Sequence, residues 1–390
     1  MKFIQTITPI RTALKSLNSK RSTKNMKIII AIDSFKGCLS SKEANEAAKA
    51  AVLQAMPSAE VVTMPVSDGG EGWLDAVQHA VGGKIHRVDA VDPLLRPILV
   101  PYLFHSPTRT AFIESAKVVG MGLLVERHRQ CPSYLWSCGM ADVIVKIWKA
   151  HPRCHVVVGL GGTATCDAGI GMMMYLEEDD RKWHFRDTPL PSFTIAYDVA
   201  NPLCGPTGAA RMFAPQKGAT THEVEILERR AAITAIRWKR MLNGRDCSNL
   251  PGAGSAGGLG YAFMQWMDAD NVPGIDLWLQ LSDFARKAED ADLVITGEGS
   301  ADRQTLLGKV PFGILKAAKA AHKATNNAHD EKKKKPALWL IAGRVQDQEL
   351  LTEAGFDFVK SINPPNITLD QAMKKENAIA NIKNTIQQLM

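Results

Sequence analysis

The sequence predicts an α/β protein of two α/β domains, one inserted into the other. The first is Rossmann/flavodoxin-like, its parallel sheet built from residues 26–70 and 286–390; residues 71–285 form the inserted α/β domain. Three observations predict this. The runs "KIIIAIDS", "ADLVITGEG" and "PALWLIAG" are continuously apolar, the pattern of strands covered on both faces. Helical segments separate them, and strand–helix–strand alternation implies a parallel sheet. The middle of the chain instead carries long Gly- and Pro-rich stretches, too mixed for linkers, which read as binding loops.

Taken in order, residues 1–25 hold six Lys/Arg and no acid. Phe3, Ile7, Ile10, Leu14 and Leu17 would share a helical face, as in a transit peptide, but Pro9 interrupts it. Met26 begins a natural first strand, so the preceding residues are expected to be a disordered extension. Without them the net charge of +7 falls to 41 Lys+Arg against 40 Asp+Glu. The surplus is one tail plus the run Lys332–Lys335, not a basic face, which argues against nucleic acid. No window of 18 apolar residues suggests a membrane span. Seven cysteines, an odd count without a CxxC pair, read as reduced thiols in a cytoplasmic protein.

The first strand ends in "AIDSFKG". Asp33, Ser34 and Lys36 there lie where open α/β sheets bind ligands, and a lysine can hold a phosphate as a point charge; a helix-capping loop is the plainer reading. "SSKEANEAAKAAVLQAM" follows as a helix capped by Ser40 or Ser41, with Glu43 in its first turn. "SDGGEGW" sets Asp68 and Glu71 about two glycines, and such acids can hold Mg²⁺ or orient a hydroxyl; alternatively it is a turn and helix cap. "GLGGTATCDAGIG" brings Gly161, Gly162, Thr163, Thr165 and Asp167 between a strand and a helix, an anion site or a tight small-residue corner. It is neither a P-loop nor a complete GxGxxG.

"YDVANPLCGP" ends a strand at Asp198, a carboxylate that could act as general base or merely form a turn, with Asn201 beyond it and Gln216 and Lys217 in "APQKG". Gly252, Gly254 and Gly257 spell GxGxxG, but "RDCSNLP" before them is no strand, so a dinucleotide fingerprint is rejected. Last comes "DLVITGEGSADRQTLLGKV". Its strand is expected to end at Thr296 and turn at Gly297–Gly299, displaying Glu298, Asp302, Gln304, Thr305 and Lys309 before a helix from Val310.

These motifs together resemble the bacterial-type glycerate kinases of the first class, from about Met26 to the C-terminus. "DSFK", "DGGEG", "GLGGTATCD", "NPLCGP" with "FAPQKGA", "PGAGSAGGLG" and "GEGSADRQTLLGK" occur in the family's order. The resemblance implies two α/β domains with a cleft, and transfer of the γ-phosphoryl of ATP to D-glycerate, with Mg²⁺, giving 2-phosphoglycerate. Lys36 and Lys309 would then neutralise phosphate, and Asp68, Glu71 and Glu298 would serve metal or substrate hydroxyls, with Asp68 and Glu298 named for Mg²⁺. Asp198 is the first choice of base and Asp302 the second. The chain departs from the family pattern at Cys166, where Asn is usual, at Ala141, where Gly is usual, and at Ser300, where Arg is usual. An impaired binding relative and a kinase for another hydroxy acid are the alternatives.

Overall fold

The structure is a computed structural model that describes residues 26–125, 132–183, 191–328 and 335–390. The N-terminal extension, Cys131 and Lys332–Lys334 lie outside the described residues. In chain order the strands are β1 (Lys27–Ile32), β2 (Glu60–Thr63), β3 (Lys84–Val91), β4 (Pro97–His105), β5 (Thr110–Glu114), β6 (His155–Leu160), β7 (Ser192–Tyr197), β8 (Asp270–Pro273), β9 (Leu293–Ala301), β10 (Ala337–Val345) and β11 (Phe358–Ser361). They divide between two units. One is built from the chain up to Ser67 together with Trp278–Met390, the other from Asp68–Leu277.

The first unit holds a five-stranded sheet, β11-β10-β9-β1-β2, parallel throughout. Counted along this unit alone the order is 2-1-3-4-5, the flavodoxin-like winding. β1 is covered on both faces, and Ile28 to Ile32 are fully buried, which is why its sequence does not alternate. The helix Ser41–Ala55 covers one face through Ala44, Ala47, Ala48, Ala51 and Val52. Its start is fixed by a complete capping box between Ser40 and Glu43. Below it, Asn45 bonds the end of β1, donating to the Ile32 carbonyl (2.8 Å).

One boundary differs from the sequence expectation. β9 does not turn at Gly297 but continues to Ala301, because β10 keeps pairing with it through Glu298, Ser300 and Ala301. Gly297 is needed for a different reason. A Cβ there would stand 2.3 Å from the Ile341 carbonyl oxygen of β10.

The second unit holds a six-stranded mixed sheet, β3-β4-β5-β6-β7-β8. β3, β4 and β5 form an antiparallel meander, and β5 to β8 run parallel. The β3–β4 turn is held by Asp92, almost wholly buried, whose carboxylate accepts from the N–H groups of Leu94 (2.8 Å) and Arg96 (3.0 Å). Helices Cys138–Ala150 and Ser255–Met267 supply much of the core against β6 and β7. No strand precedes Gly252, which follows a turn after the long helix Thr221–Met241.

Candidate functional site

In the first unit the winding direction reverses between β1 and β9, where such sheets bind ligands beyond the strands' carboxyl ends. The "DSFK" and "GEG" motifs both fall there. Asp33 N–H donates to the Gly297 carbonyl (2.9 Å), so the loop after β1 starts against β9. The Ser34 N–H then donates to the carboxylate of the preceding Asp33 (2.7 Å), folding that side chain back onto its own loop. Phe35 is buried and bridges to Leu39, which leaves Lys36 exposed at the loop tip. Gly299 lies across from this loop, and a Cβ on it would stand 3.8 Å from the Lys36 backbone nitrogen.

Glu298 follows one residue after the switch. Its side chain is 8% exposed, and Lys309 Nζ stands 3.5 Å from one carboxylate oxygen. Thr305 Oγ1 donates to the other at 2.6 Å. Burial pushes this carboxyl above the ordinary range, while Lys309 and the Thr305 bond pull it back. Asp302 caps the short 3₁₀ turn Arg303–Leu307, accepting from Gln304 N–H (2.7 Å), while its own N–H donates to Thr305 Oγ1 (3.0 Å). Thr305, fully buried, therefore joins Asp302 to Glu298. Gln304 is exposed.

In the second unit three loops meet at the carboxyl ends of β6 and β7. Gly69 has φ of 99°, and a Cβ on it would stand 2.5 Å from the Ala196 carbonyl oxygen. A Cβ on Gly161 would lie 2.6 Å from Gly70 Cα and 3.2 Å from Asp198 Oδ2. Backbone, backbone and carboxylate thus share one spot that only glycines allow. Asp198 and Glu71 are exposed there, and Asp68 is half-buried with one oxygen accepting from Gly70 N–H (3.3 Å). Gly162, at φ of 65°, is exposed beside them.

Glu114 was not singled out in the sequence. It is fully buried, and its two oxygens accept from Gly72 and Leu74 N–H groups (both 3.1 Å), fixing the "DGGEG" loop onto the helix Trp73–Val81. Burial raises its carboxyl above the usual range. An acid ending the apolar run "TAFIE" was the available signal.

Four expected ligand residues are placed underneath this spot. Asp167 is buried, and its carboxylate accepts from Ser137 N–H (2.9 Å), Ser137 Oγ (2.8 Å), Gly169 N–H (3.1 Å) and Gly171 N–H (3.0 Å). The helix begins only at Ile170, so the anion at its N-terminus is supplied by the protein itself. Thr163 and Thr165 are buried, and Lys217, itself buried, donates to Thr163 Oγ1 (3.3 Å) and the Thr165 carbonyl (2.9 Å). Asn201 donates to the Thr207 carbonyl (2.8 Å), and its own carbonyl accepts from Gly254 N–H (2.8 Å). These bonds tie the loops to one another, while the buried Thr165 hydroxyl has no hydrogen-bond partner among the described residues.

The departures from the family pattern are locally accommodated. Close backbone approach falls at Gly139, where a Cβ would stand 1.9 Å from the Val91 carbonyl oxygen, while Ala141 packs in the core. Cys166 is buried among Ala210, Ala214, Val224 and Leu227. Ser300 is in register with Arg344 of β10. Among the described residues no group of three or more His, Cys, Asp or Glu could hold a metal by itself. Mg²⁺ needs less when phosphates complete its shell, since one or two carboxylates then suffice. Asp68 fits that role. Glu298 already has an ion pair with Lys309 at one oxygen and a hydrogen bond from Thr305 at the other.

Comparison with known proteins gives one consistent family. The model of the Glycerate kinase family matches residues 28–182 and 184–390. A glycerate kinase of Bacillus subtilis is 33% identical over 374 residues, covering 90% of this chain and 93% of its own. The glycerate 2-kinase of Escherichia coli is 31% identical, with 90% and 93% covered. The crystal structure of a glycerate kinase 2 from Salmonella typhimurium LT2 superposes with a TM-score of 0.71 at 31% identity, covering 93% of this chain and 97% of that one.

Proposed function

The chain belongs to the glycerate kinase family, and from that premise we propose that it transfers the γ-phosphoryl group of ATP to D-glycerate, giving 2-phosphoglycerate. The observation that carries the reading is Asp198, an exposed carboxylate held against the glycine backbones of two other loops in the second unit.

Phosphoryl transfer asks little covalent chemistry of a protein; positioning and charge do most of it. Asp198 accepts the proton of the attacking glycerate hydroxyl as its oxygen closes on the γ-phosphorus. Gly161 and Gly162 present backbone close to the substrate, and Asp68 and Glu71 orient hydroxyls or the metal. Lys36, with Ser34 beside it, neutralises phosphate charge at the tip of the β1 loop. Lys309 is a second cation there, tuned by its pairing with Glu298. Asp33 and Asp302 act by shaping their loops, so Asp302 ranks below Asp198 as a base. Mg²⁺, when bound beside Asp68, supplies charge neutralisation to the phosphates. The protein works in the cytoplasm on small molecules; no described helix is long and apolar enough to cross a membrane.

Retention of these acids and lysines favours an active kinase over an impaired relative. Incubating the purified chain with ATP, Mg²⁺ and D-glycerate, with ADP release followed enzymatically and the product identified by ³¹P NMR, is the test. Glycerate-dependent ADP release and a 2-phosphate support the reading. Folded protein with no glycerate-dependent turnover, or one that prefers another hydroxy acid, overturns it.

A further inference from the structure

The long helix Thr221–Met241 of the second unit carries two separate apolar stripes. Val224, Leu227, Ala231, Thr234 and Trp238 recur at spacings of three and four and are buried against the unit. A second stripe with the same spacing, His222, Ile226, Arg229, Ile233, Ile236 and Arg240, is exposed along its length. Ile226 is 40% exposed, Ile233 59% and Ile236 54%. Three exposed isoleucines in register on one helix are not the scattered apolar residues of an ordinary surface. The spacing is that of a coiled-coil seam.

We propose that this face binds the same face of a second copy of the chain, the two helices pairing antiparallel about a two-fold axis. The helix itself favours that occupant. An axis through its midpoint, residue 231, sets Ile226 opposite Ile236 of the second copy. It sets Arg229 opposite Ile233, where the arginine stem can lie along the apolar side chain. Charge along the helix is also complementary to its own reverse. Glu225 is the exposed acid of the first turns, Glu223 and Glu228 being held by partners within the unit, and Arg237, Lys239 and Arg240 are exposed in the last turns. A parallel pair would set like charges side by side; an antiparallel pair sets opposite charges side by side, with Glu225 flanking Lys239 of the second copy. Both groups remain accessible, since their intrachain partners, Arg211 at 2.8 Å from Glu225 and Asp246 at 3.2 Å from Lys239, are surface pairs. The interface is isologous, so each contact occurs twice.

The test is sedimentation velocity of the full chain and its variants from micromolar to tens of micromolar. The parent is expected to dimerise, and I233E/I236E to weaken the dimer at least 100-fold while keeping its thermal unfolding profile and its glycerate kinase turnover. Charge reversal gives an arm independent of those isoleucine substitutions. E225K and K239E should each weaken the dimer, and E225K/K239E should restore it. A parent that stays monomeric throughout overturns the proposal. So does a dimer indifferent to I233E/I236E, or a double reversal no better than the singles. A monomeric parent that sediments with phosphatidylglycerol vesicles through Ile233 gives the face to a lipid surface instead, and likewise overturns it.

Discussion

Replacing Lys309 with alanine probes the pair that links β9 to the helix behind it. Glu298 is nearly enclosed, and only Lys309 and the Thr305 hydroxyl offset the cost of its charge. Breaking a fully buried pair by removing one partner costs about 3–5 kcal/mol, whereas an exposed pair contributes about 0–1 kcal/mol. The lysine side chain is 37% exposed, so water screens it, and we expect a loss of about 1–2 kcal/mol. The loss must also depend on pH. The Glu298 carboxyl already lies above its ordinary range in the fold, and losing the lysine raises it further. A carboxyl whose pKa is higher folded than unfolded favours the fold when protonated. K309A should therefore match the parent below the ordinary carboxyl range, near pH 4, and fall behind as pH rises through the raised value toward neutrality. For a unit of this size about 1 kcal/mol shifts Tm by ~2–4 °C. Thermal unfolding of parent and K309A at pH 4 and pH 8 reads this directly. E298Q in the K309A background should recover most of the deficit, because the amide can still accept from Thr305 without carrying charge. An equal deficit at both pH values, or a double variant as unstable as K309A, would refute the buried-charge argument.

Two further outcomes follow from the second unit. D198N should lower turnover by at least ~100-fold, the scale of general-base catalysis, with little change in Tm because the side chain is exposed; a rate within about threefold of the parent, under ~1 kcal/mol of barrier, removes it as the base. D167A should instead destabilise by about 3–5 kcal/mol, since it strips the buried acceptor from four donors. Urea titration checks it, and a stable D167A with a raised KM for glycerate would return Asp167 to the substrate.

What could be read beforehand followed from local chemistry. The capping box at Ser40–Glu43 and the alanine stripe behind it needed only helical spacing and one turn of backbone. The continuous apolar runs gave β1, β9 and β10 because burial on both faces leaves a compositional mark. The end of β9 was misplaced because strand pairing is not local: "GEG" looks like a turn until β10 is known to run beside it. The partners of the candidate ligand residues were hidden for a related reason. Nothing within "GGTATCD" reveals that Ser137 bonds the Asp167 carboxylate, or that Lys217 bonds Thr163 and the Thr165 carbonyl, each from more than 25 residues away in sequence. Glu114 was missed because its partners sit 40 and 42 residues earlier. The β3–β5 meander drew no attention because it carries no motif.

The insertion gives the two units unequal histories on the ribosome. β1 bonds to β9 across 265 residues, with Thr296 donating to Ala31, so the first sheet lacks its centre until nearly three-quarters of the chain has been made. At about 5–20 residues per second that interval is roughly 13–50 s. The second unit is contiguous from Asp68 to Leu277 and can close as soon as it emerges. Throughout that time the "KIIIAI" segment has only β2 to pair with, and the edge that β9 will cover stays open, the kind of edge that recruits other chains. Nascent chains halted before residue 290 should therefore hold a folded insert beside a protease-sensitive, chaperone-bound beginning.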